Sequence, residues 1–407
     1  MTGCGQAPRW TIPRHPISVP LPFTENPVPS LRHRSLLCLL LVASSQPLAA
    51  QPSYVPPRGE SWEVRDPARA GFDTERLATV VDFARSREIA WSHDLAAQLN
   101  QLHVNEPFPE LIGPVTPRGG TNGIILRHGH IVAEWGDTRR VDMTFSVTKS
   151  FLSLVAGLAV DRGILGDLHA PVSARIDDPD LRGPHNGRIT WHHFLTQTSE
   201  WNGTLWAKPD VADRRAGRDR ELRTPGTFWE YNDVRVNRTA HALLQAIGRP
   251  LPQFLGEELM DPIDASAEWV WHGYDSSWVP LGGERVQSVS GGGHWGGGLW
   301  ISTRDMARVG LLMLRRGHWG SRQVLSPDWI DAMTTPVPLR PNYGYLWWLN
   351  TGRTQYPGAS ASSFFALGGG GNVIWIDPEN DLVAVVRWMD PRAVNEFMTL
   401  VTGALAK

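Results

Sequence analysis

Cysteine and lysine are nearly absent from this 407-residue sequence. The only cysteines are Cys4 and Cys38, both ahead of residue 51, so they say little about cross-links in a folded domain. A cysteine-free remainder fits export without establishing it. The lysines are Lys149, Lys208 and Lys407, so that of 39 basic residues 39 − 3 = 36 are arginine. Part of that bias fits a GC-rich genome. A retained lysine still matters, because arginine keeps its proton at any accessible pH while a desolvated lysine can lose one and act as a base. Charge of one sign is lacking too. The net charge is −2 and the basic residues are scattered, which gives no nucleic-acid footprint and no polybasic membrane patch. Long apolar runs are missing. The run Leu36–Val42 is too short to span a bilayer. Arg32 and Arg34 precede it, and small residues ending at Leu48-Ala49-Ala50 follow. Residues 31–50 therefore read as a secretory signal peptide, predicting a periplasmic or secreted protein with no integral membrane segment after cleavage. A Pro-rich stretch before the signal is unusual. Cys38 lies inside the apolar run, which argues against a lipoprotein anchor.

What remains is ordinary for a globular chain: 41% hydrophobic and 20% charged residues, enough for one large domain or two closely packed ones. Residues 51–64 read as a linker after a leader at 1–50. Helical periodicity follows Asp73-Thr74 across 71–88. Residues 122–127 and 130–135 form a hairpin pattern about His128-Gly129. A helix should begin at Ser146 and run to 162. Phe151, Leu152, Leu154, Val155, Leu158 and Ala159 cover more than one of its faces, so it should be buried. Residues 164–280 are rich in turns and short helices, and 238–247 give the clearest helix. Ser302 with Asp305, and Ser326-Pro327, mark two further helix starts. Strands are expected at 343–349, 363–367, 372–376 and 382–388, then a helix at 391–405. The expectation is an α/β fold: an α/β layer over 65–160 and 300–407, built from both ends, with a mainly helical region at 161–299 between.

The lysine at 149 closes the run Ser146-Val147-Thr148-Lys149. On a helix, a serine at i and a lysine at i+3 are neighbours. At a helix start the serine N–H has no helical partner, and the dipole favours negative charge beside it. A hydroxyl, an amine to take its proton and an oxyanion donor are what acyl transfer requires. The plain alternative is a helix start with a snorkelling lysine, which an apolar helix disfavours. Tyr231-Asn232-Asp233 adds a phenol able to relay a proton, although a loop tyrosine taken alone is more often packing. The 19 tryptophans are mainly packing residues by type, and Trp201 and Trp295 are candidates for a cleft wall.

Together these motifs resemble the serine β-lactamase and penicillin-binding-protein superfamily, closest to its class C-like branch with the family VIII esterases and 6-aminohexanoate-dimer hydrolases. Ser146 to Lys149 is similar to the Ser-x-x-Lys motif, and Tyr231 to Asp233 to the Tyr-x-Asn motif. The segments 189–199, 297–305 and 365–371 resemble the family's other landmarks, in order. The resemblance spans roughly 65–405. It implies an antiparallel sheet flanked by helices with a helical subdomain. It also implies Ser146 as acylated nucleophile, Lys149 as its activator and Tyr231 as base or proton shuttle. The N–H groups of Ser146 and Gly369 would form the oxyanion hole, and Asp233, Gly368, Trp201 and Trp295 would contact substrate.

The chain departs from the pattern twice. Asp233 stands where the family has asparagine, and Ala366 where β-lactamases carry a lysine or histidine that helps to bind a substrate carboxylate. The implied substrates are therefore small esters or amides rather than penicillins or peptide C-termini, unless an arginine from elsewhere supplies the cation. β-Lactamase or D-Ala-D-Ala carboxypeptidase activity, and a non-catalytic ligand-binding relative, remain the alternatives. No cofactor is implied. The histidines lack metal-ligand spacing. Gly291 to Gly296 matches a dinucleotide-loop pattern without its strand–helix context, so tight turns and close packing are expected there. No Gly-x-Ser-x-Gly elbow is present.

Overall fold

Strand residues that alternate between two apolar faces make a sheet that must be covered on both sides. In the computed structural model, which describes residues 54–59 and 61–406, this is the central layer. The signal-like segment and both cysteines lie outside the described residues. The strands of the layer are β1 (Asn122–Arg127), β2 (His130–Trp135), β7 (Trp348–Leu349), β8 (Phe364–Gly368), β9 (Asn372–Asp377) and β10 (Leu382–Arg387). Their order is β7-β8-β9-β10-β1-β2 and every pairing is antiparallel. The two ends of the folded chain meet where Asn122 pairs with Arg387. Ile124, Leu126, Ile374, Ile376, Val383 and Val385 face one way, into the main core with α3 (Val147–Asp161) and α7 (Thr303–Leu314). Ile125, Val373, Trp375, Leu382, Ala384 and Val386 face the other way, against α1 (Thr74–Ser86) and α9 (Val394–Gly403).

The expected α/β fold with strands from both ends is thus the observed one. Local signals explain its accuracy. Asp73 caps α1 by accepting from the Arg76 N–H at 3.0 Å, and Ser302 caps α7 through Asp305 N–H at 3.1 Å. The whole of α3 from Val147 to Ala159 is buried. Its few polar side chains there, Thr148, Lys149, Ser150 and Ser153, are buried with the apolar ones, as expected of a helix apolar nearly all round.

Between the two halves lie α4 (Trp191–Leu195), α5 (Asp233–Ile247), α6 (Leu251–Leu255) and several single turns. This region also contains strands that the turn-rich sequence did not suggest. β3 (Asp142–Met143), β4 (Val270–Leu281), β5 (Glu284–Val289) and β6 (Gly298–Ile301) form a second sheet in the order β3-β6-β4-β5. The register of β4 slips between Gly273 and Trp278, and Pro280 interrupts its run, so regular alternation is lost. The expected strand at 343–349 shrinks to Trp348–Leu349, because Leu346 takes a positive φ of 58°. Arg387 ties the two sheets together. Its buried guanidinium donates to the carbonyls of Ile301 and Met143, each at 2.9 Å. Among the described residues no helix is long and apolar enough to cross a membrane.

Candidate active site

Ser146 sits at the start of α3 as its N-terminal cap, and the preceding Phe145 holds a left-handed φ of 52°. A bulky residue is strained there, and the turn presents Ser146 at the base of a cavity of about 710 Å³. One turn on, Lys149 Nζ donates to Ser146 Oγ at 2.9 Å. Lys149 is 1% exposed. Tyr231 completes the group: its phenol is near enough to Ser146 to be influenced by it, and its ring lies 4.8 Å from Lys149 Nζ. Ser146, Lys149 and Tyr231, separated by up to a fifth of the chain, are therefore brought together. The other interior lysine has a different task. Lys208 Nζ donates to the carbonyls of Phe108 and Glu110 at 2.6 and 2.9 Å.

The end of β8 forms the neighbouring wall. Gly368 is required to be glycine, since a Cβ would lie 2.1 Å from the Thr144 carbonyl oxygen and 3.2 Å from the Val147 nitrogen. Gly368 and Gly369 both line the cavity beside Ser146. Ala366 does not: it is buried in the main core. An arginine does reach the cavity. Arg215 lies 4.9 Å over the Tyr231 ring, paired with Asp213 at 3.1 Å, with half of its side chain exposed.

Trp201 and Trp295, expected at the cleft, are not there. Both are fully buried in the main core. The Trp201 indole N–H donates to the Asp180 carbonyl at 3.1 Å, and Trp295 lies under the Lys208 ammonium at 4.9 Å. The cavity instead takes Trp91, Phe145, Trp229, Trp348 and Tyr356 as its aromatic lining. Composition could not separate these, because every tryptophan offers the same apolar surface and only the fold decides which ones face a cleft.

Asp233 is the first residue of α5 and lines the cavity while being nearly buried. Its carboxylate is 4% exposed and pairs with Lys149 Nζ at 2.6 Å through Oδ1. Oδ2 faces His294 Nδ1 at 3.3 Å, and His294 Nε2 meets Glu106 at 2.9 Å. The glycine run delivers this histidine, and it supplies the close packing that was expected of it. A Cβ on Gly292 would fall 2.7 Å from Lys149 Nζ and 2.9 Å from the Asp233 carboxyl carbon. His294 and Glu106 were missed as site residues, and the adjoining glycines were the one available signal.

Burial pulls the Lys149 pKa below the ordinary lysine range, although the Asp233 charge opposes it. Burial raises the Tyr231 phenol, as does the Asp233 charge, so the phenol stays protonated. Burial alone would raise Asp233, but Lys149, then the hydrogen bond and charge of His294, outweigh it and hold a carboxylate. Burial would lower His294, but the bond to Asp233 and the charges of Asp233 and Asp213 lift it to about 9. His103, Glu106 and His294, and separately Asp213, Asp233 and His294, lie close enough to hold a metal ion. Both ring nitrogens of His294 face carboxylates, which fits an imidazolium rather than a metal ligand.

The loop before Tyr231 is held by buried charges. Arg235 meets Glu200 at 2.6 Å and Asp210 at 3.2 Å, and Arg220 meets Glu200 at 2.6 Å and also Glu230. Asn232 caps α5 by accepting from Arg235 N–H at 3.0 Å and donates to the Asp210 carbonyl at 2.9 Å. The flanking Tyr231 and Asp233 are fixed as a consequence.

Residues 120–392, which hold Ser146, Lys149, Tyr231, Asp233, His294, Gly368 and Gly369, match the family model described as beta-lactamase. The chain belongs to the beta-lactamase family. Similar proteins of this superfamily fall in its class C-like branch. The 6-aminohexanoate-dimer hydrolase of Paenarthrobacter ureafaciens is 26% identical over 304 residues, 66% of this chain and 72% of that protein. A family VIII carboxylesterase has the same fold at 17% identity, with a TM-score of 0.55 over 82% of this chain and 99% of its own. A penicillin-binding-protein homologue from Caulobacter crescentus gives 16% identity and a TM-score of 0.55 over 81% and 98% of the two chains. Membership in this family of serine hydrolases supports hydrolase activity in general.

Proposed function

We propose that the protein hydrolyses small esters or amides through an acyl-enzyme on Ser146. The observation that carries this is the 2.9 Å contact between Ser146 Oγ and a buried Lys149 Nζ at a helix start, with Ser146 lining the cavity. In acylation, neutral Lys149 takes the Ser146 proton as the Oγ–carbon bond forms, and the carbonyl electron pair moves onto oxygen. The N–H groups of Ser146 and Gly369 receive that oxyanion. When it collapses, the leaving group departs with a proton passed through Tyr231, whose protonated phenol suits a shuttle better than a resident base. The proton held on Lys149 then replaces the one that Tyr231 gave up. Water reverses the sequence and frees the acid. The apolar and aromatic lining, with Ala366 turned into the core, favours substrates without a carboxylate at that position.

Incubation with a fluorophosphonate should give one covalent adduct by intact mass, lost in Ser146→Ala. No adduct on the wild type would leave a non-catalytic ligand-binding relative as the better reading. Arg215 in the cavity wall favours a second reading, in which it binds the carboxylate of a β-lactam or peptide substrate. Faster turnover of nitrocefin than of p-nitrophenyl butyrate would establish that reading against the first. Export, proposed from the sequence at 31–50, is tested by cell fractionation; a cytoplasmic product with an uncleaved N-terminus would refute it.

A further inference from the structure

Asparagine in the Tyr-x-Asn position is neutral, whereas Asp233 brings a negative charge to within 2.6 Å of the Lys149 ammonium. An isolated carboxylate there would hold the Lys149 proton tightly and make it a poor base. The chain does not leave the carboxylate isolated. His294 approaches its second oxygen at 3.3 Å, and Glu106 holds the far side of the imidazole at 2.9 Å. An unbroken series of contacts therefore runs from Ser146 through Lys149, Asp233 and His294 to Glu106. The first four lie in the protein interior or its cavity floor, and Glu106 stands at the cavity rim with 39% of its side chain exposed.

We propose that His294 is a positioning residue for the acyl-transfer site: held between Glu106 and Asp233, it shares the Asp233 carboxylate with Lys149 and so eases loss of the Lys149 proton. The proposal rests on the reading above in which Lys149 is the base. The geometry gives His294 no other use for its two nitrogens, since each points to a carboxylate. The His103 ring stacks on it at 4.5 Å with an interplanar angle of 18°. Burial and the His294 charge keep His103 on the neutral side. The ring stack therefore adds no second cation against His294.

Lys149 meets Asp233 directly and feels Arg215 and Asp213. His294 feels Asp233, Asp213 and Glu106, and His103 feels both His294 and Lys208. Asp213 accepts the Asp233 backbone N–H at 2.7 Å and pairs with Arg215. A protonated His294 opposes protonation of Lys149 by like charge and competes for their shared anion. Replacing it with a neutral residue leaves Asp233 to Lys149 alone, and the lysine becomes more basic.

The scarcity of lysine makes the test direct. Protein labelled with ¹³C at lysine Cε carries signals from Lys149, Lys208 and Lys407 only. The Lys149 signal is assigned by its loss in Lys149→Arg, and its shift is followed against pH in the full chain. In His294→Gln we expect the Lys149 midpoint to rise by about one pH unit or more. Glu106→Gln, at the rim, should move it the same way by less, because His294 then holds its proton less firmly. The acid limb of kcat/KM for p-nitrophenyl butyrate should rise in parallel. An unmoved or lowered Lys149 midpoint in both variants overturns the proposal. The Lys208 signal, unchanged, reports an intact fold, and Glu106→Gln remains the test if His294→Gln fails to fold. The NMR midpoint does not depend on turnover, so failure of the hydrolase reading is distinguished by an expected Lys149 shift with no ester activity in the wild type.

Discussion

Asp233→Asn restores the residue type of the related motif and removes one negative charge from between Lys149 and His294 with almost no change in size. The lost contacts are 2.6 Å to Lys149 Nζ and 3.3 Å to His294 Nδ1. At an effective dielectric of about 20, two unit charges roughly 4 Å apart interact by about 4 kcal/mol. That energy corresponds to roughly three pH units in the Lys149 midpoint. Part is returned, because His294 loses the same carboxylate, releases its proton near neutral pH and stops repelling Lys149. A net fall of about one to two pH units is expected. The assay is kcat/KM for p-nitrophenyl butyrate across the acid and neutral range, where the acid limb should move down by that amount. Stability gives an independent readout. In the variant Lys149 holds its proton less readily folded than unfolded, so the unfolded state binds more protons and stability rises with pH. The loss of Tm relative to wild type should therefore be larger in acid than in mild alkali. An acid limb that stays in place or moves up would refute the control of Lys149 by Asp233.

Lys149→Arg keeps a cation beside Ser146 but offers no base, so kcat should fall by about 100-fold or more, measured with the same ester; retained activity would remove Lys149 from the role proposed for it. Gly368→Ala must push β8 away from the start of α3, because its Cβ would sit 2.1 Å from the Thr144 carbonyl oxygen. Loss of most ester turnover with a modest fall in Tm is expected, and wild-type kinetics would show that the strand end does not set the site. Glu200 is held at about 2 instead of the ordinary 4.5, because its bond to Arg220 and the Arg235 charge outweigh the effect of burial, which alone would raise it. That difference corresponds to roughly 3 kcal/mol at most, fully present above the ordinary value and lost as pH falls toward 2. Glu200→Gln should thus lower Tm at neutral pH, with the gap from wild type closing in acid; a gap independent of pH would refute the assignment.

The accuracy of the sequence reading follows the range of the signals it used. Capping at Asp73 and Ser302, the hairpin about His128-Gly129 and the all-apolar face of α3 are local, and each element formed where expected. The start of α5 was placed late because Asp233, Arg235, Asn237 and Arg238 look like solvent-facing residues. They are buried, with Asp233 and Arg235 in ion pairs to residues far away in the chain. β4 and β5 were missed because a register slip and Pro280 break the alternation that marks a strand.

The sequence by itself determined the family, the two-ended sheet and the candidates Ser146, Lys149 and Tyr231, since a three-residue spacing on a helix and an ordered set of motifs need no distant partner to be read. Tertiary structure alone decided that Trp201 and Trp295 are core residues and that Arg215 reaches the cavity. It also decided that the charge of Asp233 is met by Lys149 and by a histidine whose other partner, Glu106, lies 188 positions away. Charge balance in a buried site depends on which groups the fold brings within a few ångströms, and no spacing along the chain encodes that distance.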